Sequence, residues 1–140
     1  MIDVLNVILD DNAVMPTRAH ASDAGLDLYT PNAFRIPAHS SSVVNTGVHV
    51  EIPNGYVGMI KSKSGLNVNK NITSEGVIDA GYTGSIVVKL YNHGDEPQEF
   101  AEKSKISQVV IMPVTTPDLK LVDEFKDTER GNNGFGSTGV

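Results

Sequence analysis

Apolar residues in this chain recur at every second position over short runs, with turn-forming residues between the runs. Val48, Val50 and Ile52 alternate with His49 and Glu51, and Pro53-Asn54-Gly55 then turns the chain into Tyr56–Ile60. Ile86, Val88 and Leu90 share one face of the run Ser85–Leu90, and Ser85, Val87 and Lys89 share the other. A period of two marks a strand with one buried face. Val4–Leu9 alternates loosely and opens the first strand, while Ile106–Val114 is a further apolar strand closed by Pro113 and Pro117. Turn residues return roughly every eight to twelve positions, which predicts an all-β sandwich or barrel. One segment invites a helix. Ser64–Asn69 follows the strand Tyr56–Lys63, and its shortness and asparagine content limit it to a turn or two.

Composition narrows the function classes. At 140 residues and 15.0 kDa the chain is long enough for one domain with its own core. Its formal charge of −6, from 11 basic and 17 acidic residues, argues against binding a nucleic-acid backbone. A small anion remains compatible, because a few aimed donors, a local cation or a bridging metal suffice. Cysteine is absent, which excludes disulfides, thiolate catalysis and cysteine-ligated metals. No apolar run reaches membrane-spanning length and the amino end carries no basic-then-apolar signal, so a soluble cytoplasmic protein without a membrane partner is expected. His20, His39, His49 and His93 are scattered without metal-ligand spacing and read as surface or core residues. Residues 1–128 read as the β-domain and residues 129–140 as a glycine-rich tail that is mobile when nothing holds it.

Five segments carry more chemistry than a sheet requires. Ala24-Gly25-Leu26-Asp27-Leu28 sets a carboxylate between two leucines, either a solvated strand end or a group that holds a metal-bound water. Lys61-Ser62-Lys63-Ser64-Gly65-Leu66 brings cations, a hydroxyl and a helix start together, as a phosphate cradle or as a lysine-protected edge. Gly76-Val77-Ile78-Asp79-Ala80-Gly81-Tyr82-Thr83-Gly84 reads as a hairpin connection. Its Asp79 could instead orient and deprotonate a water, with Tyr82 packing on a sugar and excluding a 2′-hydroxyl. Lys103–Gln108 carries Gln108 into an apolar strand, facing outward or donating to a phosphate oxygen. The tail places Arg130, Phe135, Gly136, Ser137 and Thr138 among glycines. Arginine suits phosphate, phenylalanine stacks on a planar base, and glycine lets backbone lie close over a ligand, which together make a closing lid.

In this order and spacing the five segments resemble the five motifs of the trimeric dUTPase family, over nearly the whole chain from Val4 to Thr138. "GVIDAGYTG" at Gly76–Gly84 and "GFGSTG" at Gly134–Gly139 are the most specific stretches. The resemblance implies a jelly-roll-like (β-clip) all-β fold with at most one short helix. It also implies a homotrimer whose three active sites are shared between subunits. The implied reaction is Mg2+-dependent hydrolysis of dUTP to dUMP and pyrophosphate by attack on the α-phosphorus. That reaction supplies dUMP for thymidylate synthesis and keeps uracil out of DNA. Asp79 matches the water-activating aspartate and Gln108 the glutamine near the α-phosphate. Tyr82 matches the deoxyribose-packing tyrosine, and Thr73–Tyr82, with Gly76, Val77 and Ile78, the hairpin that holds uracil. Lys63, Ser64 and Gly65 fall in the phosphate-binding motif, and Asp27 would hold magnesium through water. Arg130 would reach the γ-phosphate, Phe135 and Gly136 would cover uracil, and Ser137 and Thr138 would help close the lid.

The chain departs from the family pattern at Lys63 and Lys105, where arginines are usual, so charge is kept and fork geometry lost. Thr73 stands where some members place an asparagine against the base. Lys61 and Lys105 receive no catalytic role. A related activity, dCTP deamination, would call for a glutamate ten residues beyond the hairpin aspartate, where this chain has Lys89. A third reading is a regulatory protein that a nucleotide switches between partners by ordering the tail.

Overall fold

The computed structural model describes residues 2–136 and residue 139. Nine strands and one helix follow in order among them. They are β1 Asn6–Leu9, β2 Gly25–Tyr29, β3 Phe34–Ile36, β4 Ser41–Glu51, β5 Tyr56–Lys61, α1 Ser64–Lys70, β6 Ile72–Ile78, β7 Ser85–Asn92, β8 Gln98–Phe100 and β9 Lys105–Pro113. Seven strands form one antiparallel, curled sheet of jelly-roll type in the order β1-β4-β7-β6-β5-β9-β2, and β3 pairs with β8 apart from it. Phe34 and Phe100, opposite each other in that small ladder, stack with ring centroids 4.8 Å apart. No helix among the described residues is long and apolar enough to cross a membrane.

The core follows from the period-two pattern. Val48, Val50 and Ile52 are buried, as are Ile86, Val88 and Leu90 along β7. Leu28, Ile36, Ile72, Ile106 and Val109 complete the enclosed cluster. β4 is longer than the alternation predicts because it contains a bulge. The register shifts between Asn45 and His49, and Gly47 takes φ 69 in the middle. Only glycine serves there, since a Cβ would also lie 2.9 Å from the Cβ of Ala13. Thr46 fills the bulge by donating to the Ile86 carbonyl at 2.7 Å and accepting from the Val48 amide at 3.2 Å. The bulge breaks the alternation N-terminal to Val48, so the strand's first half is hidden from a pattern search.

Other differences have equally local causes. β3 and β8 are three residues each, too short to show a period. β2 is a full strand rather than a solvated strand end, with Asp27 enclosed inside it. The predicted helix forms over Ser64–Lys70 and stops at Asn71, whose φ of 57 is left-handed.

Asn92 joins the small ladder to the large sheet. Its buried amide nitrogen donates to the carbonyls of Ile36, Pro37 and Glu96 at 3.2, 3.3 and 2.8 Å, and its oxygen accepts from the Gly94 amide at 3.0 Å. Asn92→Ala would leave several enclosed backbone groups without partners, at about 1–3 kcal/mol for each one left unsatisfied. A loss of about 3 kcal/mol is expected, read as a lowered urea midpoint with unchanged slope.

Candidate active site

Asp27 is the centre of a cationic cluster. It lies on β2 with 6% of its surface exposed, and each carboxylate oxygen meets a lysine. Lys63 donates to Oδ1 and Lys105 sits 3.2 Å from Oδ2. Burial alone pushes the Asp27 carboxyl upward, but the hydrogen bonds and charges of the two lysines outweigh it, and the net pKa lies below the usual carboxylate range. The same contact, with its charge attraction, raises Lys105. Lys61, two residues before Lys63, takes a different partner, Glu75 at 3.9 Å.

Beneath this cluster the backbone is held by serines that no motif singled out. The Ser107 hydroxyl donates to the Lys61 carbonyl at 3.0 Å. Its only proton is thereby used, so Ser74 must donate in the 2.6 Å contact between the Ser74 and Ser107 hydroxyls. Ser62 accepts from the Ser74 amide at 3.0 Å and donates to the Ser74 carbonyl at 3.2 Å. Gln108 adds a bond from Nε2 to the Ser62 carbonyl at 2.8 Å. Its amide occupies the space above Gly25, where a Cβ would come within 1.9 Å of the glutamine oxygen. These contacts fix the strand end that presents Lys63, Ser64 and Gly65. Gly65 has neither a left-handed φ nor a neighbour within 4 Å of a built Cβ, so the surrounding protein does not explain its missing side chain. Gly25, Gln108, Ser62 and Thr73 line a cleft of about 740 Å3.

The second group gathers where β6 parts from β7. Their ladder joins Ile72–Ser74 to Leu90–Asn92 and stops. From Glu75 to Ile78, β6 pairs with β5 instead. A cleft of about 210 Å3 opens beyond that point, lined by Gly76, Val77, Ile78, Asp79, Tyr82 and residues 85–87 of β7. Asp79 stands exposed at the turn. The turn closes with the Tyr82 amide donating to the Asp79 carbonyl at 3.2 Å, and Gly81 takes the φ of 85 that its third position requires. The Tyr82 hydroxyl donates to the Ser85 carbonyl at 2.8 Å, laying the ring so close over Gly84 that a Cβ there would meet the hydroxyl at 2.4 Å.

The remaining sequence-predicted residues are Thr73 and those of the tail. Thr73 lines the larger cleft rather than the smaller one, its hydroxyl 2.6 Å from His93 Nε2. Arg130 donates from Nε to the Asn133 carbonyl at 2.6 Å within its own turn, and Phe135 is fully exposed. Ser137 and Thr138 lie outside the described residues.

The family model for dUTPase matches residues 11–139. The deoxyuridine 5′-triphosphate nucleotidohydrolase of Clostridium acetobutylicum is 39% identical over 135 residues, 94% of this chain and 93% of that protein. Its counterpart in Candida albicans is 41% identical over 128 residues, covering 89% of this chain and 80% of that one. The dUTPase of Staphylococcus bacteriophage 80alpha, solved with dUPNHPP, superposes with a TM-score of 0.93 at 33% identity, covering 99% of this chain and all of that one. The dUTPase of S. aureus phage phi11, described with a structural Mg(II) ion, does so with a TM-score of 0.81 at 32% identity, covering 88% and 99%. The chain belongs to the dUTPase family.

In this dUTPase the lysines at positions 63 and 105 both pair with Asp27. Each lysine meets one carboxylate oxygen, a point-charge contact that needs no planar fork. Because the folded Asp27 pKa is lowered, the stability that this group contributes is fully present above the unfolded carboxyl range of ~3.9 and is lost as pH falls through the folded value. Asp27→Asn is therefore expected to flatten the dependence of the urea midpoint on pH below about 4. Near neutral pH it should cost about 2 kcal/mol, since two lysines then face an uncharged amide.

Proposed function

We propose that this member of the dUTPase family, a dUTP diphosphatase, splits dUTP into dUMP and pyrophosphate with Asp79 as the water-activating base. The observation that carries the reading is the interrupted pairing of β6 and β7 beside the Asp79 turn. It leaves strand edges facing a cleft of about 210 Å3, smaller than the ~300–1,000 Å3 of drug-sized pockets and suited to a base. Uracil presents one N–H between two carbonyls, a pattern that strand backbone can pair with directly. The exposed Tyr82 ring then covers the sugar and leaves no room for a 2′-hydroxyl. Asp79 takes a proton from water, the water oxygen bonds to the α-phosphorus, and the bond to the bridging oxygen breaks with departure of pyrophosphate.

The phosphates fit the other group. Lys63 and Lys105 supply positive charge, Ser64 a hydroxyl, and the space above Gly65 lets an oxygen approach the backbone. One proton of the Gln108 amide holds Ser62 and the other is available to the α-phosphate. Among the described residues no three acidic or histidine side chains gather to hold a metal. The donor set therefore fits Mg2+ carried by the substrate phosphates, with the free lone pairs of Asp27 accepting from a water on the ion. Bound there, the ion would neutralise phosphate charge.

Gly25, Ser62 and Gln108 line one cleft and Asp79 and Tyr82 another, with no lining residue in common, which favours sites completed between copies in a homotrimer. The extended segment after β9 supports the same reading, because Leu119, Leu121 and Phe125 stand 96%, 99% and 90% exposed. Residues 129–140 act as the lid, Arg130 on the γ-phosphate and Phe135 on uracil, with Ser137 and Thr138 helping it close. Such an enzyme would work in the cytoplasm, supplying dUMP for thymidylate synthesis and keeping uracil out of DNA. Deamination is disfavoured: Lys89 stands where that chemistry wants a carboxylate, and its ammonium lies 5.3 Å from the Tyr91 ring centre.

Incubating the protein and Mg2+ separately with dUTP, dCTP, UTP and dTTP should yield pyrophosphate and the monophosphate from dUTP alone. Asp79→Asn should lower turnover by at least about a hundredfold while dUTP still binds; near-normal turnover would remove Asp79 from the mechanism. Truncation before Arg130 should leave the β-domain melting temperature unchanged and reduce kcat/KM by about a hundredfold or more. Full activity in the truncated chain would eliminate the lid.

A further inference from the structure

His49 lies outside every motif, yet it holds the turn on which Asp79 and Tyr82 sit. It stands on β4 directly opposite Ser85, the first residue of β7 after the turn. Nδ1 is 2.7 Å from the Thr83 carbonyl and Nε2 is 2.9 Å from Oδ1 of Asp10. Both partners are acceptors. A neutral imidazole carries one N–H and can satisfy one of them, leaving two lone pairs facing each other at the second contact. Only the imidazolium donates to both.

Both ends of this bridge are themselves anchored. The Asp10 amide donates to the Gly47 carbonyl at 2.8 Å, tying Asp10 to the β4 bulge. On the other side the Gly81 amide donates to the Ile52 carbonyl at 3.3 Å, so the turn is gripped at Gly81 and again at Thr83. Tyr82 lies between those two grips. We propose that His49 is a positioning residue for the Asp79–Gly84 turn and works as the imidazolium that ties Thr83 to Asp10. The inference rests on the roles given above to Asp79 and Tyr82.

The charged surroundings of His49 are few. Asp10, just past β1, is the ion in contact with it. Glu51, two residues along β4, accepts from the Asn6 side chain at 3.0 Å, β7 offers Ser85, and the turn itself carries Asp79. The Thr83 carbonyl first, and then Asp10, raise the histidine above its ordinary pKa, against a smaller opposing effect of burial. The bridge is therefore held to higher pH than an ordinary histidine would hold it, and it opens as pH rises through the raised value. With the proton lost, the turn keeps its grip at Gly81 and loses one of the contacts at Thr83 or Asp10.

The test compares kcat and KM for dUTP from about pH 6 to about pH 9 in the wild type, His49→Gln, Asp10→Asn and Asp79→Asn. Wild type should lose about tenfold in kcat/KM along an alkaline limb. Asp10→Asn should move that limb to lower pH by removing the counter-charge, and His49→Gln should abolish it and show the reduced value throughout. A limb unchanged in both variants would overturn the proposal. Should His49→Gln fail to fold, ring 15N spectra of the wild type followed from about pH 6 to about pH 9 decide the matter: a second ring proton kept above the ordinary histidine midpoint of ~6.5 supports the bridge, and one lost at or below it overturns the proposal. Asp79→Asn separates the two levels. Turnover in that variant would sink the mechanism itself, whereas an inactive Asp79→Asn beside an unmoved limb would sink only the role of His49.

Discussion

Strand β6 cannot keep one neighbour along its whole length, and the candidate site is built around that change of partner. Over Ile72–Ser74 it is laddered to β7, and from Glu75 onward to β5. At the crossover the ladder on one side ends before the turn is reached, and β7 runs on from Ser85 without closing the gap. Serine hydroxyls bridge the crossover on the other side, with Ser62 bonded to both backbone groups of Ser74. A continuous ladder would have filled the smaller cleft with hydrogen bonds of the protein's own. The binding proposed here depends on backbone left unpaired at one place and secured on either side of it.

The two halves of the site are stabilised by opposite means. Around Asp27 the protein uses charge, with both oxygens of a buried carboxylate given to lysines. Around Asp79 it uses backbone geometry, and the carboxylate is left exposed at a turn. A buried carboxylate held by two cations is a poor base, because its proton affinity is depressed. Asp79 stands open to water at its turn, which suits the role proposed for it. The division of labour proposed for these aspartates thus follows from what surrounds each of them.

The parts of the fold written in short-range pattern were legible beforehand. The alternation through Val48–Ile52 and Ser85–Leu90 identified the core faces, and the length and composition of Ser64–Asn69 limited the helix to about its observed extent. Less legible were features set by distant partners. The first half of β4 is concealed by a bulge whose Thr46 bonds to the distant Ile86 carbonyl, and the three-residue β3 is meaningful only beside β8. Among site residues, Asp79 and Tyr82 stood out because a turn chemistry surrounds them in sequence. Ser74 and Ser107 did not, since a serine in a strand carries no sign of the hydroxyl it will meet. Lys105 was assigned no role because its partner lies 78 positions away on β2. His49 shows the same limitation: its meaning comes from Asp10 and Thr83, one on each side of it in sequence and neither near.

Gly25 and Gln108 illustrate a constraint of another kind. The glutamine amide fills the volume in which any side chain at position 25 would begin. A larger residue at 25 first requires the amide to leave, and an amide that leaves gives up the Ser62 carbonyl. The dependence runs one way, since a glycine at 25 leaves position 108 unobstructed while the glutamine closes position 25. In the history of this chain a change at 108 should therefore come before any side chain at 25.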